Sequence, residues 1–141
     1  MKRGTLLDTH AWMWLVFDER HRGSAEAWRD IDECAVTNSL AVSEISFWEV
    51  AVQAGKRRLD LGQDVDAWLR EAAKAPGIGV VHVDREVLVK SALLDLEQRD
   101  PADRILVATA LRYGLRLATA DESLLSYAAK HPSLQVLDMR P

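Results

Sequence analysis

Short apolar runs and longer segments at helical spacing alternate along the whole chain. The short runs predict five strands, at about residues 5–7, 40–42, 79–83, 115–118 and 134–137. Helical spacing predicts helices at about residues 11–16, 25–33, 44–54, 64–74, 85–95, 101–113 and 122–130. Strands separated by helices are typical of α/β folds in which helices cover both faces of a sheet. We therefore predict an α/β fold with a roughly five-stranded, mostly parallel sheet.

The helix predicted over residues 101–113 has the clearest boundaries. Asp100 is suited to cap it, and a proline follows at the first helical position. Gly114 is suited to the left-handed residue that ends a helix. Because this helix runs antiparallel to the strand after it, Asp103 near its start and Asp121 after that strand share one edge of the sheet. Open α/β sheets bind their ligands at that edge.

Two more carboxylates are predicted to reach the same edge. Asp8 directly follows the first strand. Glu49 lies in the helix after the second strand, on a face that we expect to point inward. That face also carries Ile45, Trp48 and Val52. A carboxylate on an inward face is costly to bury unless it is hydrogen-bonded, paired with a cation or bound to a metal.

Each of these acids also has an ordinary structural explanation. Asp8 and Asp121 can cap the helices that follow them. Asp103 suits the first turn of its helix through the helix dipole, and Glu49 can form an ion pair with Arg104. Capping, however, gives no reason for all four carboxylates to converge on one edge. Converging carboxylates repel each other and must take up protons or bind a cation.

The candidate ligands are all oxygen atoms, which favours Mg²⁺ or Mn²⁺ over zinc. The chemistry that such an ion supports is metal-assisted hydrolysis of a phosphodiester bond. The chain lacks a phosphate-binding P-loop, a dinucleotide-binding glycine loop and a serine nucleophile elbow.

Composition narrows the class of protein. With 141 residues, 48% hydrophobic and 28% charged, the chain is expected to form one domain over residues 1–141. A net charge of −4 argues against non-specific nucleic-acid binding but allows a nucleic-acid enzyme with an acidic metal site. The sequence has no apolar run of the roughly 18 residues that cross a bilayer. Together with a single cysteine, Cys34, this predicts a cytoplasmic protein without a membrane partner.

Four segments resemble the signature blocks of PIN-domain ribonucleases, and most closely those of the VapC toxins of bacterial toxin–antitoxin pairs. The segments are 6–10 (LLDTH), 43–51 (SEISFWEVA), 100–104 (DPADR) and 117–121 (LATAD). They occur in the family's order and span nearly the whole chain. The family therefore implies a PIN-like fold and endonucleolytic cleavage of RNA, often transfer RNA.

The resemblance also implies roles for particular residues. The catalytic and metal-binding acids would be Asp8, Glu49, Asp103 and Asp121, holding one or two Mg²⁺ or Mn²⁺ ions. Thr9 and Thr119 match the hydroxyl residues that support these acids. The family further implies a homodimer and a VapB-type antitoxin that covers the active site. Many relatives carry a histidine just before the Asp-Pro pair, where this chain has Gln98 and Arg99.

The leading hypothesis is therefore a metal-dependent endoribonuclease. Its candidate contacts to RNA phosphates are Arg104, Arg112, Arg116, Lys56, Arg57 and Arg58. One alternative is a non-catalytic PIN-like module that binds RNA or a partner protein. A phosphorylated receiver-like domain is another α/β alternative, but it needs a suitably placed late lysine, and Lys130 does not fit.

Overall fold

A computed structural model describes residues 4–141. Its sheet has five strands in the order β3-β2-β1-β4-β5, and every pair of neighbours is parallel. The strands are β1 (Thr5–Leu7), β2 (Leu40–Ser43), β3 (Ile78–Val81), β4 (Arg116–Thr119) and β5 (Val136–Asp138). The helices are α1 (Thr9–Val16), α2 (Ala25–Val36), α3 (Glu44–Gly55), α4 (Val65–Ala72), α5 (Arg85–Leu93), α6 (Pro101–Tyr113) and α7 (Glu122–Lys130), with a 3₁₀ turn at Arg20–Arg22. The predicted α/β fold is confirmed.

Both faces of the sheet are buried, as the alternation of side chains along the strands shows. Leu6 of β1 and Leu117 of β4 pack into one apolar cluster with residues of α6 and α7. The next residue on each strand, Leu7 and Ala118, packs into a second cluster with residues of α1 and α2. Successive side chains of a strand point to opposite faces, so helices cover the sheet on both sides, as predicted.

The predicted ends of several elements differ from the observed ones. Helix α2 continues to Val36, beyond the predicted end at about residue 33. The last strand begins at Val136 and not at 134. Leu134 is buried in the core but belongs to a turn, in which its N–H donates to the carbonyl of His131 at 3.0 Å. The apolar pattern therefore identified a core residue correctly and assigned it to the wrong element.

The strand order creates a crevice between β1 and β4. The chain moves from β1 to β2 and β3 on one side, then crosses back so that β4 pairs with the other side of β1. At such a switch point the connections leave the carboxyl ends of neighbouring strands in opposite directions, which opens a site for a ligand. Asp8 and Asp121 stand just beyond these two strand ends.

No helix within residues 4–141 is long and apolar enough to span a bilayer.

Helix α6 begins and ends as its sequence predicts. Asp100 is its N-cap, with Oδ1 accepting a hydrogen bond from the N–H of Ala102 at 3.0 Å. Gly114 ends the helix in the left-handed conformation, with φ 64°. Its N–H donates to the carbonyl of Ala110. The helix is thereby set so that its first turn, with Asp103, faces the crevice.

We expect Gly114→Ala to lower the free energy of unfolding by about 1–2 kcal/mol, because a Cβ is disfavoured at positive φ. An added Cβ would meet no atom within 4 Å, so the cost comes from the backbone alone. Gly55 is a matched control, since its Cβ would also be free but its φ is not positive. Urea unfolding should show Gly55→Ala equal to or slightly more stable than the wild type. Equal stability of both variants would contradict the account of this helix end.

Candidate active site

Asp8 and Thr119 join the ends of β1 and β4. Asp8 is 4% exposed, and its Oδ1 caps α1 by accepting from the N–H of Ala11 at 2.7 Å. Its Oδ2 accepts from the Thr119 hydroxyl at 2.5 Å. The Thr119 oxygen in turn accepts from the backbone N–H of Asp121 at 3.0 Å. One buried threonine therefore fixes both strand-end aspartates, and Asp8 combines a capping role with a place in the acidic site.

Glu49 is held by hydroxyl groups. The Thr9 hydroxyl donates to Glu49 Oε1 and lies 2.8 Å from the Ser46 hydroxyl. Because the Thr9 proton goes to the carboxylate, Ser46 donates to Thr9. Arg104, the expected partner in the ion-pair alternative, donates instead to backbone carbonyls. Glu49 is thus a half-buried carboxylate held by one neutral donor, Thr9, which Ser46 supports.

The predicted inward face of α3 was wrong at one position. Trp48 is 55% exposed, whereas Ser46 and Val50 are fully buried. The helix turns Ser46 inward because its small side chain allows a hydrogen bond to Thr9 of α1. A serine gives no signal in a hydrophobic pattern, so the apolar stripe was placed too far toward Trp48. Glu49 lies at the boundary between the buried and exposed faces.

The other two acids are connected through two polar side chains. Asp121 caps α7, with Oδ1 accepting from the N–H groups of Ser123 and Leu124 at 2.9 and 3.1 Å. The Ser123 hydroxyl also donates to Oδ1, at 2.7 Å. Gln98 donates through Nε2 to Asp103 Oδ2 at 3.0 Å and to the Ser123 oxygen at 3.2 Å. From the sequence, Gln98 was apparent only as a departure from the family pattern.

The acids lie within each other's electrostatic field. Burial, followed by the charges of nearby carboxylates, raises the pKa of Asp103 to about 7. These carboxylates are Asp100, Asp121, Glu49 and Asp8, in order of decreasing effect. Burial is also the main reason that the pKa of Asp8 and that of Glu49 are raised. The four predicted acids therefore lie close enough together at this edge of the sheet for their charges to interact.

Asp100 is a fifth acid in this field, which sequence analysis treated as a helix cap alone. Its charge is the largest coulombic contribution to the raised pKa of both Asp103 and Glu49. The spacing of three residues between Asp100 and Asp103, which brings side chains together on a helix, was the available signal. The charge of His10, which is exposed beside these acids, offsets part of the rise in the pKa of Asp8 and of Glu49.

The site has the chemistry of a divalent-cation site. Carboxylate oxygens suit a hard cation such as Mg²⁺ or Mn²⁺. The neighbouring carboxylates that add to the effect of burial on the pKa of Asp103 carry negative charge that a cation would neutralise. Among residues 4–141, no three acid, histidine or cysteine side chains are already arranged to hold an ion. In this structure the four carboxylates instead accept hydrogen bonds from Thr119, Thr9, Gln98 and Ser123. The set of carboxylates fits the ion, and these hydrogen bonds orient the side chains that would hold it.

The basic residues considered for RNA contacts lie in different environments. Arg112 pairs with Glu86 at 2.6 Å on the surface. Arg116 pairs with Asp30 at 2.5 Å and begins β4, at the edge opposite the acids. The run of Lys56, Arg57 and Arg58 is exposed just after the end of α3. Arg104 is half-buried beside Asp103, where it binds backbone carbonyls. The geometry thus gives Arg104, Arg112 and Arg116 partners within the protein.

A parallel α/β sheet with acids gathered at its switch point defines a class of domains, and comparison with known sequences identifies the family. The sequence pattern of the PIN domain matches residues 5–130. Ribonuclease VapC22 of Mycobacterium tuberculosis (strain ATCC 25618 / H37Rv) is 34% identical over 130 residues, which are 90% of this chain and 92% of the relative. The chain belongs to the PIN-domain family, in its VapC branch.

Solved structures show the same fold. A DNA-bound VapBC from Salmonella typhimurium matches with a TM-score of 0.67 at 16% identity, covering 97% of this chain and 98% of that one. VapBC2 from Rickettsia felis, bound to a DNA fragment from the promoter, gives 0.66 at 13% identity, covering 96% and 98%. A toxin–antitoxin complex from Klebsiella pneumoniae gives 0.61 at 22% identity, covering 95% and 96%. At these identities the likeness establishes the fold.

The acidic site should make the free energy of unfolding decrease as the pH rises. A pKa of about 7 for folded Asp103, against 3.8 as its ordinary value, means that the folded state binds more protons between about pH 4 and pH 7. Stability should therefore fall as pH rises through this window. Asp103→Asn removes this proton uptake, so the variant should be more stable than the wild type near pH 7, with a flatter profile.

Urea unfolding in a chelating buffer measures this effect. Asp64→Asn is the control, because it makes the same chemical change at an exposed helix cap and should keep the wild-type slope. An Asp103→Asn variant that is less stable than the wild type at pH 7, with an unchanged slope, would contradict the electrostatic account.

Proposed function

We propose that this protein is a metal-dependent endoribonuclease that hydrolyses phosphodiester bonds of RNA at the acidic edge of its sheet. The observation that carries the proposal is the convergence of Asp8, Glu49, Asp103 and Asp121 at the switch point, with a raised pKa on three of them. The description of the 34% identical relative as a ribonuclease supports it.

In this proposal the four acids hold one or two Mg²⁺ or Mn²⁺ ions. Such an ion supplies an activated water and stabilises negative charge on the phosphoryl group. The contribution of the chain is to fix the carboxylates before the ion binds. Thr119 orients Asp8, and Thr9 orients Glu49, through hydrogen bonds between side chains. Both threonines are buried, so their rotamers are set by packing.

RNA must approach an edge that repels its phosphates. The protein has a net charge of −4, and the acids add local negative charge at the site. Attraction must therefore come from bound cations and from basic groups on the surface. Of the basic candidates, the exposed run of Lys56, Arg57 and Arg58 best suits phosphate contacts outside the cleavage site. In this proposal a structured substrate such as transfer RNA contacts both, and the activity takes place in the cytoplasm.

The proposal includes a VapB-type antitoxin as partner, together with a homodimer of the toxin. The Salmonella and Rickettsia structures described above are VapBC complexes, which supports this partner. The acidic site would attract a basic residue of the antitoxin, which would take the place of the cation. Beside Glu49, an apolar groove of about 460 Å³ suits an apolar segment of the same partner. It is lined by Glu44, Ile45, Trp48, Val83, Leu88, Pro101 and Ile105.

Cleavage of a structured RNA by the purified protein with Mn²⁺ tests the proposal. Asp8→Asn should reduce the rate by at least about 100-fold, because a carboxylate ligand is replaced by a neutral amide. The Asn Oδ1 can still accept from the N–H of Ala11, and its Nδ2–H can donate to the Thr119 oxygen, so circular dichroism and the unfolding midpoint should show a folded protein. Asp64→Asn, at the exposed N-cap of α4 and outside the acidic site, should cleave at the wild-type rate.

Equal cleavage by the wild type and Asp8→Asn would refute catalysis at this site. Binding of RNA without cleavage by the wild type would instead favour the non-catalytic PIN-like module.

A further inference from the structure

One arginine determines the path of the segment between α5 and α6. The guanidinium of Arg104, on the first turns of α6, donates from Nε to the carbonyl of Ser91 at 3.0 Å. It also donates from Nη2 to Leu94 at 2.9 Å, and from Nη1 to Leu96 at 2.5 Å and Gln98 at 3.1 Å. Hydrogen bonds from a charged donor are stronger than neutral ones. A segment without regular structure is thereby fixed by a residue adjacent to Asp103.

The end of that segment reaches the acidic site through Gln98. Its amide nitrogen donates to Asp103 Oδ2 at 3.0 Å and to the Ser123 oxygen at 3.2 Å. The Ser123 hydroxyl in turn donates to Asp121 Oδ1 at 2.7 Å. A continuous chain of hydrogen bonds therefore runs from one carboxylate to another, and both protons of a single amide nitrogen are used in it.

This bridge spans two groups that repel each other. Asp103 and Asp121 are carried by separate helices, and the charge of Asp121 destabilises the ionised form of Asp103. An amide that donates toward both sides offsets part of the repulsion and sets the distance between the two carboxylates. Small displacements of catalytic groups cost large factors in rate, so such a bridge matters more for turnover than for folding.

We propose that Gln98 is a positioning residue of the active site, which holds Asp103 and, through Ser123, Asp121 at a fixed spacing. Arg104 in turn fixes Gln98 by binding the carbonyls of its segment, and this replaces the expected contact between Arg104 and RNA phosphate. The expected effect of Gln98 on kcat rests on the proposed ribonuclease function. The bridge itself is a property of the protein without substrate.

Gln98→Met tests the effect on turnover, because methionine has a similar length and no hydrogen-bond donor. In RNA cleavage with Mn²⁺, kcat should fall roughly tenfold while KM stays near the wild-type value, as expected for a group that acts through catalytic residues. Glu97→Met, on the preceding residue of the same segment, should leave kcat unchanged. Gln98→His restores an N–H donor and should recover part of the lost kcat. Wild-type kcat in Gln98→Met, or an equal loss in Glu97→Met, would overturn the proposal.

Nuclear magnetic resonance tests the bridge without any reaction. In the ¹⁵N-labelled protein, the side-chain amide protons of Gln98 should exchange with solvent more slowly than those of exposed Gln63, by about tenfold or more. The reason is that both amide protons of Gln98 are hydrogen-bonded. Ser123→Ala and Arg104→Lys should each speed that exchange. For Arg104→Lys the reason is that an ammonium group cannot replace the fork that binds several carbonyls. Exchange of Gln98 as fast as that of Gln63 would overturn the bridge even if the wild type cleaves RNA. Slow exchange in a protein that does not cleave RNA would leave the bridge intact and refute the proposed function alone.

Discussion

Repulsion among the carboxylates at the ends of β1 and β4 is the constraint on which the rest of the site depends. Asp8 is almost fully buried and Asp103 half-buried, and each carries a raised pKa in the company of other acids. Burying carboxylates together is unfavourable unless donors or cations compensate. The fold supplies neutral donors at this point, namely the hydroxyls of Thr9 and Thr119 and the amide of Gln98. These neutral donors hold the carboxylates together without adding positive charge to the site.

The backbone contributes to the same compensation. The acidic edge lies at the N-termini of α1, α6 and α7, where exposed N–H groups and the helix dipoles favour negative charge. Asp8 and Asp121 use this directly, since each caps the helix that follows its strand. From the sequence, capping and metal binding were alternative roles for these aspartates. The two roles are compatible. One oxygen of Asp8 accepts from the backbone N–H of Ala11, and the other accepts from the Thr119 hydroxyl.

Topology explains why the acids were predictable from sequence. The strand ends are marked by short apolar runs, and a parallel sheet must bring its carboxyl ends to one edge. The orientation of α3 was less well determined, because a buried serine breaks the apolar stripe that predicted Trp48 as an inward residue. Neither periodicity nor topology predicts the roles of Gln98 and Arg104. The segment between α5 and α6 has no periodicity, and the bond from Gln98 joins residues that are 25 positions apart. Their roles depend on packing that only the folded chain reveals.

The central claim is that these acids together bind a divalent cation. Titration calorimetry with Mn²⁺ on the metal-free wild type, Glu49→Gln and Asp64→Asn tests it most directly. We expect the wild type and Asp64→Asn to bind Mn²⁺ with equal affinity. Glu49→Gln should weaken binding by about tenfold or more, because one anionic ligand is lost. Absence of Mn²⁺ binding to the wild type, or equal affinity in Glu49→Gln, would contradict the claim.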